Sequence, residues 1–228
     1  MIRHIVIIFI LLSNAFSETP PRPISTYSIV AYDEKTGQLG VAVQSHWFSV
    51  GTVVPWAKAG VGAVATQSIA EPSYGPNGLA LMEKGVPANE ALQSLLLKDS
   101  GENVRQIGMV DAKGNVGAHT GSRCIRYAGH KIGKHYSVQA NIMEKPTVPN
   151  AMSKAFENAK GDLAERMIIA LEAAEQEGGD LRGKQSAALL VVSGKPTGDA
   201  WKDRIVDIQI GDHENPLGEL RRLLNISK

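Results

Sequence analysis

With a single cysteine, Cys124, in 228 residues, the chain cannot carry an intramolecular disulfide framework, so its stability has to come from packing. Charge of one sign is missing too. Lys and Arg number 24 against 23 Asp and Glu, which removes the electrostatic reason to expect nucleic acid or an anionic membrane surface as a partner. No apolar run approaches the roughly 20 residues needed to span a bilayer, the unbroken stretch over residues 5–12 being far too short. Neither GxGxxG nor GxxxxGK occurs among the glycines at 75–85, which therefore punctuate loop and helix, and HExxH is absent from the chain.

What is present begins with Arg3, the apolar run, and a short polar stretch in which Ala15 and Ser17 are small residues ahead of a cut. This pattern predicts a secretory signal peptide over residues 1–17, an uncleaved anchor being the alternative. No Cys follows the cut, so a lipoprotein anchor is excluded and a secreted or periplasmic protein starting near Glu18 is expected. Pro20, Pro21 and Pro23 make residues 18–25 an extended linker or propeptide. One domain then runs from 26 to 228, in a chain that is 43% hydrophobic and so has ample apolar side chain for a core.

Residues 27–32 and 38–44 are apolar and β-branched around Asp33-Glu34-Lys35-Thr36-Gly37, which predicts a hairpin. A second hairpin is expected over 51–56 and 61–68, with Pro55 marking an irregular edge. A third spans 105–111 and 116–120, with Asp111 capping its turn, and 136–141 is a further strand. Ala88, Ala91, Leu92, Leu95 and Leu96 have helical spacing, and 76–83 suits a helical turn leading into them. So do Met152, Ala155, Phe156 and Ala159, and then Leu163, Met167, Ala170, Leu171 and Ala174. The chain closes with strands at 186–192 and 204–210 and a helix at 216–224. This order predicts an α+β fold, two antiparallel sheets stacked face to face with helices outside, a four-layer αββα sandwich.

Taking Lys35 as the midpoint of the first turn places Thr26 across from Gln44. With the second hairpin alongside, one edge gathers Thr26, Gln44, Ser45, His46, Ser49, Gln67 and Ser68, while the opposite edge holds turn residues. Solvation of strand ends explains such polarity equally well. His119, Cys124, His130 and His135 are loosely grouped, but their spacing matches no standard ligand motif, so no metal and no cofactor is expected. Cys124 reads as a small core residue, a functional thiol being the alternative.

The runs Thr26-Tyr-Ser-Ile-Val-Ala-Tyr-Asp, Gly40-Val-Ala-Val-Gln-Ser-His-Trp-Phe-Ser-Val-Gly51 and the stretch 53–67 resemble the family named domain of unknown function 1028. Residues 74–79, 128–130, 137–141 and 182–190 extend the resemblance. It implies membership of the N-terminal nucleophile (Ntn) hydrolase superfamily, in which the first residue of the mature chain attacks an amide or ester carbonyl and its own α-amine takes the proton.

Carried over, that makes Thr26 the nucleophile, with His46 and Gln44 assisting. Ser45, Ser49, Gln67, Asn77 (beside Gly78), His130 and Asn141 are then the expected substrate contacts. The mechanism requires cleavage between Ser25 and Thr26, because an amide nitrogen has no basic lone pair. Proteasome-like relatives place a Lys early in the third strand, whereas here Lys58 lies at the far turn. The expected partner is a small-molecule or peptide-like substrate, with a homo-oligomer also compatible, and with no membrane contact after signal cleavage. The rival reading is a non-catalytic cell-envelope binding protein that keeps the fold.

Overall fold

The computed structural model describes Ile24 and residues 26–227; the expected signal peptide and, Ile24 apart, the Pro-rich segment lie outside the described residues. In chain order the elements are β1 (Thr26–Tyr32), β2 (Leu39–Ser45), β3 (Pro55–Lys58), β4 (Gly62–Ser68), α1 (Tyr74–Glu83), α2 (Ala88–Leu96), β5 (Arg105–Asp111), β6 (Val116–Thr120), β7 (Gly129–Gly133) and β8 (Tyr136–Asn141). They continue with α3 (Val148–Asn158), α4 (Leu163–Gln176), β9 (Ser186–Val192), β10 (Arg204–Ile210) and α5 (Pro216–Ser227).

The strands form a six-stranded sheet, β10-β9-β2-β1-β8-β7, and a four-stranded sheet, β3-β4-β5-β6, antiparallel throughout. The sheets stack face to face. α3, α4 and α5 cover the outer face of the larger one, and α1 and α2 cover the smaller. The observed architecture is the four-layer αββα sandwich.

Period-two alternation explains the layers. On β1, Tyr27, Ile29 and Ala31 join Met167, Leu171 and their neighbours under the helices, while Val30 faces inward with Val41, Val43 and Ala65. A third cluster, built on Val64, Ile107 and Met109, packs against Leu92 of α2. Asp162 caps α4 by accepting from the Glu165 N–H at 2.8 Å, and Arg221 ties α5 to α4 through Glu165 at 2.5 Å.

The first hairpin corrects the expected register by one residue. Asp33 Oδ1 accepts from the N–H groups of Lys35 and Thr36, Gly37 takes φ +74°, and the Asp33 N–H bonds to Gln38 O, so the midpoint falls between Lys35 and Thr36. Thr26 therefore pairs with Ser45, and Gln44 pairs with Tyr27. A one-residue slip exchanges sheet faces, and it decides which side chains meet Thr26.

The second hairpin is shorter than expected. Val50–Thr52 winds into a 3-10 turn, with Ser186 Oγ accepting from the Val50 N–H at 3.1 Å, and β3 starts only at Pro55, as an edge strand. The two hairpins belong to different sheets and face each other across the sandwich, so the expected common edge is a meeting of two layers. The other strands at 105–111, 116–120, 136–141, 186–192 and 204–210 have the expected bounds. Asp111 caps its turn through Lys113 and Asn115 and also accepts from the Ala88 N–H at the start of α2.

Candidate active site

At one end of the sandwich the inner faces turn from apolar to polar. Neighbouring strands of the larger sheet align Ser186, Ser45, Thr26 and Asn141 in a row, all fully buried. From the facing sheet come Gln67 and Gln106, paired across β4 and β5 and equally buried. Ser28 and Gln139 lie one step deeper.

The direction of this network follows from two main-chain carbonyls. Gln106 Nε2 lies 2.9 Å from Ala140 O and 3.1 Å from Gly129 O, and because a carbonyl only accepts, that end of the amide must be its NH2 group. Gln106 Oε1 consequently accepts from Gln67 Nε2 at 2.8 Å and from Asn141 Nδ2 at 3.0 Å. Gln67 Oε1 is then left to Ser28 Oγ, which donates at 2.6 Å and itself accepts from Gln139 Nε2 at 2.8 Å. The outcome is that two side-chain N–H donors, from Gln67 at 3.3 Å and Asn141 at 3.5 Å, converge on the carbonyl oxygen of Thr26. Loss of one partner from such a buried network leaves the others desolvated and unpaired.

Thr26 itself is fully buried, and its hydroxyl donates to Ile24 O at 3.0 Å, with Ser45 Oγ 3.3 Å away. Ile24 crosses to the opposite sheet, bonding Ser68 through both N–H and C=O. Ser68 adopts φ +69°, a left-handed conformation that costs a non-glycine residue roughly 1 kcal/mol or more. The residue two before Thr26 thus closes the end of the sandwich over the row.

Of the residues singled out from the sequence, Thr26, Ser45, Gln67 and Asn141 come together here. Gln44 does not join them. The register turns it to the helix side, where its side-chain amide meets the Tyr27 hydroxyl, which donates its proton to Glu175 at 2.7 Å. Burial and then Glu175 push the Tyr27 pKa well above its ordinary value, so this hydroxyl stays protonated.

Ser49 lies near the end of β10, its N–H on Gly211 O at 2.8 Å, three strand spacings or roughly 14 Å from Thr26. Asn77 is exposed on α1, outside the sandwich. His130 is on the edge strand β7 and reaches the network indirectly. Its Nδ1 lies 2.8 Å from Thr120 Oγ1, which is 3.0 Å from Gln106 Nε2. Desolvation and then His119 lower the His130 pKa, favouring the neutral ring.

His46 follows Ser45 directly, but its ring lines an open groove with Gln185. Cys124 is half-buried, donating to Arg105 O at 3.2 Å, and burial raises its pKa, so the thiol is the favoured form. Gln106, Gln139 and Ser28 are network members that reading the sequence missed; each stands among other polar residues of its strand, so no local signal sets it apart.

Residues 26–220 match the family model described as Family of unknown function (DUF1028). The chain belongs to this family. Protein SPO2555 from Silicibacter pomeroyi, a solved structure whose description carries the DUF1028 name, is 30% identical to this chain, with a TM-score of 0.80 over 89% of this chain and 86% of that one. Anbu (ancestral beta-subunit) from Yersinia bercovieri is matched at 12% identity and a TM-score of 0.39, over 88% of this chain and 93% of that one. No curated protein matches. In this DUF1028 chain the family match begins at Thr26, the first residue of β1 and a member of the polar row.

Proposed function

We propose that the chain is an exported N-terminal nucleophile hydrolase of an amide-type bond, with Thr26 as nucleophile once the Ser25–Thr26 bond is cut. The observation that carries this reading is the position of the Thr26 hydroxyl: it stands in a buried polar row, next to Ser45, under a closure made by the residue two before it. Cutting after Ser25 would change the Thr26 nitrogen from an amide to an amine with a reference pKa of about 8 and release the Ile24 contact.

Thr26 Oγ1 then attacks the substrate carbonyl, and the α-amine takes the hydroxyl proton and passes it to the departing amine. Water hydrolyses the resulting ester and restores the hydroxyl. Ser45 orients the hydroxyl, while Gln67 and Asn141 hold the Thr26 backbone through its carbonyl. The β-branched side chain leaves little rotamer freedom to lose, which favours a fixed attack geometry.

Intact-mass analysis of the exported protein tests the reading, together with turnover of an amide panel by wild type and by Thr26→Ala. Thr26 as the first residue and loss of turnover in the variant are expected; equal turnover by both removes the assignment.

One observation favours a second reading, a non-catalytic cell-envelope binding protein: with residue 25 attached, Thr26 is fully buried and its nitrogen is an amide. An exported protein that retains Glu18 at its N-terminus supports that alternative.

A further inference from the structure

Beside the polar row lies a groove that none of the roles assigned so far requires. It is reached in one step from Thr26: Ser45 pairs with Thr26 on one side and with Ser186 on the other, and the Gln185 N–H bonds to Ser45 O at 3.0 Å. His46 and Gln185 form its centre. Two adjoining cavities meet there, one bordered by Trp47 and Phe48 and the other by Lys184, Asp212, His213 and Glu214.

The backbone of His46 is pinned at both ends, its N–H on Asp180 Oδ2 at 3.1 Å and its C=O accepting from Arg182 Nη2 at 3.4 Å. Its ring carries no structural duty that consumes it, because Nδ1 is buried without a hydrogen-bond partner among the described residues. An unsatisfied N–H at that buried nitrogen costs more than a bare lone pair, which favours the neutral tautomer with its proton on Nε2.

His213 reaches the same state by another route. Its Nδ1 accepts from the Asn215 N–H at 2.9 Å, which leaves Nε2–H as its donor. Lys184 adds an ammonium that spends one contact on Glu175 at 3.2 Å and keeps protons for a ligand. Against these three donors stand the carboxylates of Asp212, held by Gln185 Nε2 at 3.0 Å, and Glu214.

One cavity therefore offers donors and carboxylates side by side, and the other offers aromatic surface. Phe48 is 67% exposed, a large apolar side chain held out at the groove.

We infer that this groove binds a short zwitterionic peptide with both termini free, with its carboxylate on the His46, His213 and Lys184 donors, its ammonium on Asp212 and Glu214, and an apolar side chain on Phe48 and Trp47. The inference names the substrate class of the proposed hydrolase and rests on that reading only for what happens to the ligand afterwards.

Calorimetric titration of the full chain with alanyl-phenylalanine, and with the same dipeptide acetylated and amidated at its ends, tests it. Saturable binding of the free dipeptide is expected, weakened about tenfold or more by blocking both ends, since two charge-assisted contacts are lost. His46→Ala and Phe48→Ser are each expected to weaken it about fivefold with unchanged thermal melting, because the His46 backbone bonds remain and Phe48 is exposed. No saturable heat, equal binding of the blocked dipeptide, or affinity unchanged in both variants overturns the inference. Binding is read without turnover, so a chain that binds the dipeptide while Thr26→Ala leaves amide turnover unchanged loses the nucleophile and keeps the groove. Thr26-dependent turnover without dipeptide binding does the reverse.

Discussion

Ile24 and Ser68 join the two sheets across the end of the sandwich: the Ile24 N–H donates to Ser68 O at 2.7 Å and the Ser68 N–H donates to Ile24 O at 3.2 Å. Ile24 O also accepts from the Thr26 hydroxyl at 3.0 Å. One carbonyl thus secures the closure and occupies the proposed nucleophile together. In the uncut chain the closure and the Thr26 hydroxyl thus depend on the same residue.

Ile24→Pro removes the shorter of the two bonds without touching Thr26. A net contribution of about 1 kcal/mol for one such bond implies roughly fivefold faster hydrogen exchange at the Ser68 amide. Exchange mass spectrometry on peptides covering the end of β4 reads this directly. Unchanged protection there means that something other than Ile24 closes the row.

Gln106→Leu removes the group that sets the direction of the network. Gln67 Nε2 and Asn141 Nδ2 each lose an acceptor, and Ala140 O and Gly129 O each lose a donor. Buried unpaired groups cost about 1–3 kcal/mol each before any regrouping, so a loss of about 3 kcal/mol or more in urea unfolding is expected. In a double-mutant cycle with Gln67→Leu the coupling should exceed about 1 kcal/mol. Additive effects would mean that the two amides act separately.

Most of the fold is legible in the sequence because its strands carry their own punctuation. Asp111 followed by Gly114 fixes the third hairpin, and the apolar run at 186–192 fixes the central strand β9. β7 goes unread because Gly129-His130-Lys131-Ile132-Gly133 is an exposed edge without apolar alternation. Gln44 is assigned to the wrong sheet face because the turn at residues 33–38 has its midpoint half a residue beyond Lys35, and half a residue there becomes a full change of face at Thr26. Thr26, Ser45, Gln67 and Asn141 stand out as polar ends of apolar strands. Gln106 and Gln139 do not, since their partners come from the opposite sheet and from strands distant in sequence, which no local pattern encodes.

Gly108 makes room for that hidden part of the network. A Cβ there would sit 2.4 Å from Gln139 Oε1, whereas at Gly129 the nearest atom outside the flanking residues is Pro149 Cγ at 3.9 Å. Gly108→Ala must displace Gln139 from Ser28, and an overpacking cost of about 1–3 kcal/mol is expected. Gly129→Ala should be neutral or stabilise by up to about 0.5 kcal/mol, having open space and ordinary backbone angles. Thermal melts of the two variants provide the comparison, and equal melting temperatures would show that the space beside Gln139 is not needed.

Asp99 gives the pH prediction. The Arg105 guanidinium, 2.8 Å away, holds its carboxyl below the ordinary carboxylate range, with burial opposing and the Gly101 N–H and Tyr74 hydroxyl assisting. A carboxyl whose folded pKa lies below its unfolded value of about 3.9 contributes stability that is complete above that value and is lost as pH falls through the folded pKa. In Asp99→Asn the deficit against wild type should therefore stay constant from about pH 7 down to about pH 5 and shrink below about pH 4. Partial solvent exposure of the pair keeps that deficit modest, and added salt should reduce it further. Tyr74 acts at the other extreme: burial and then its bond to Asp99 raise its pKa, so its share is present below about pH 10 and fades as pH rises through the folded value. Urea midpoints of wild type and variant at pH 7, 5 and 3 decide the matter, and a deficit that is the same at pH 3 as at pH 7 would remove the ion pair as its cause.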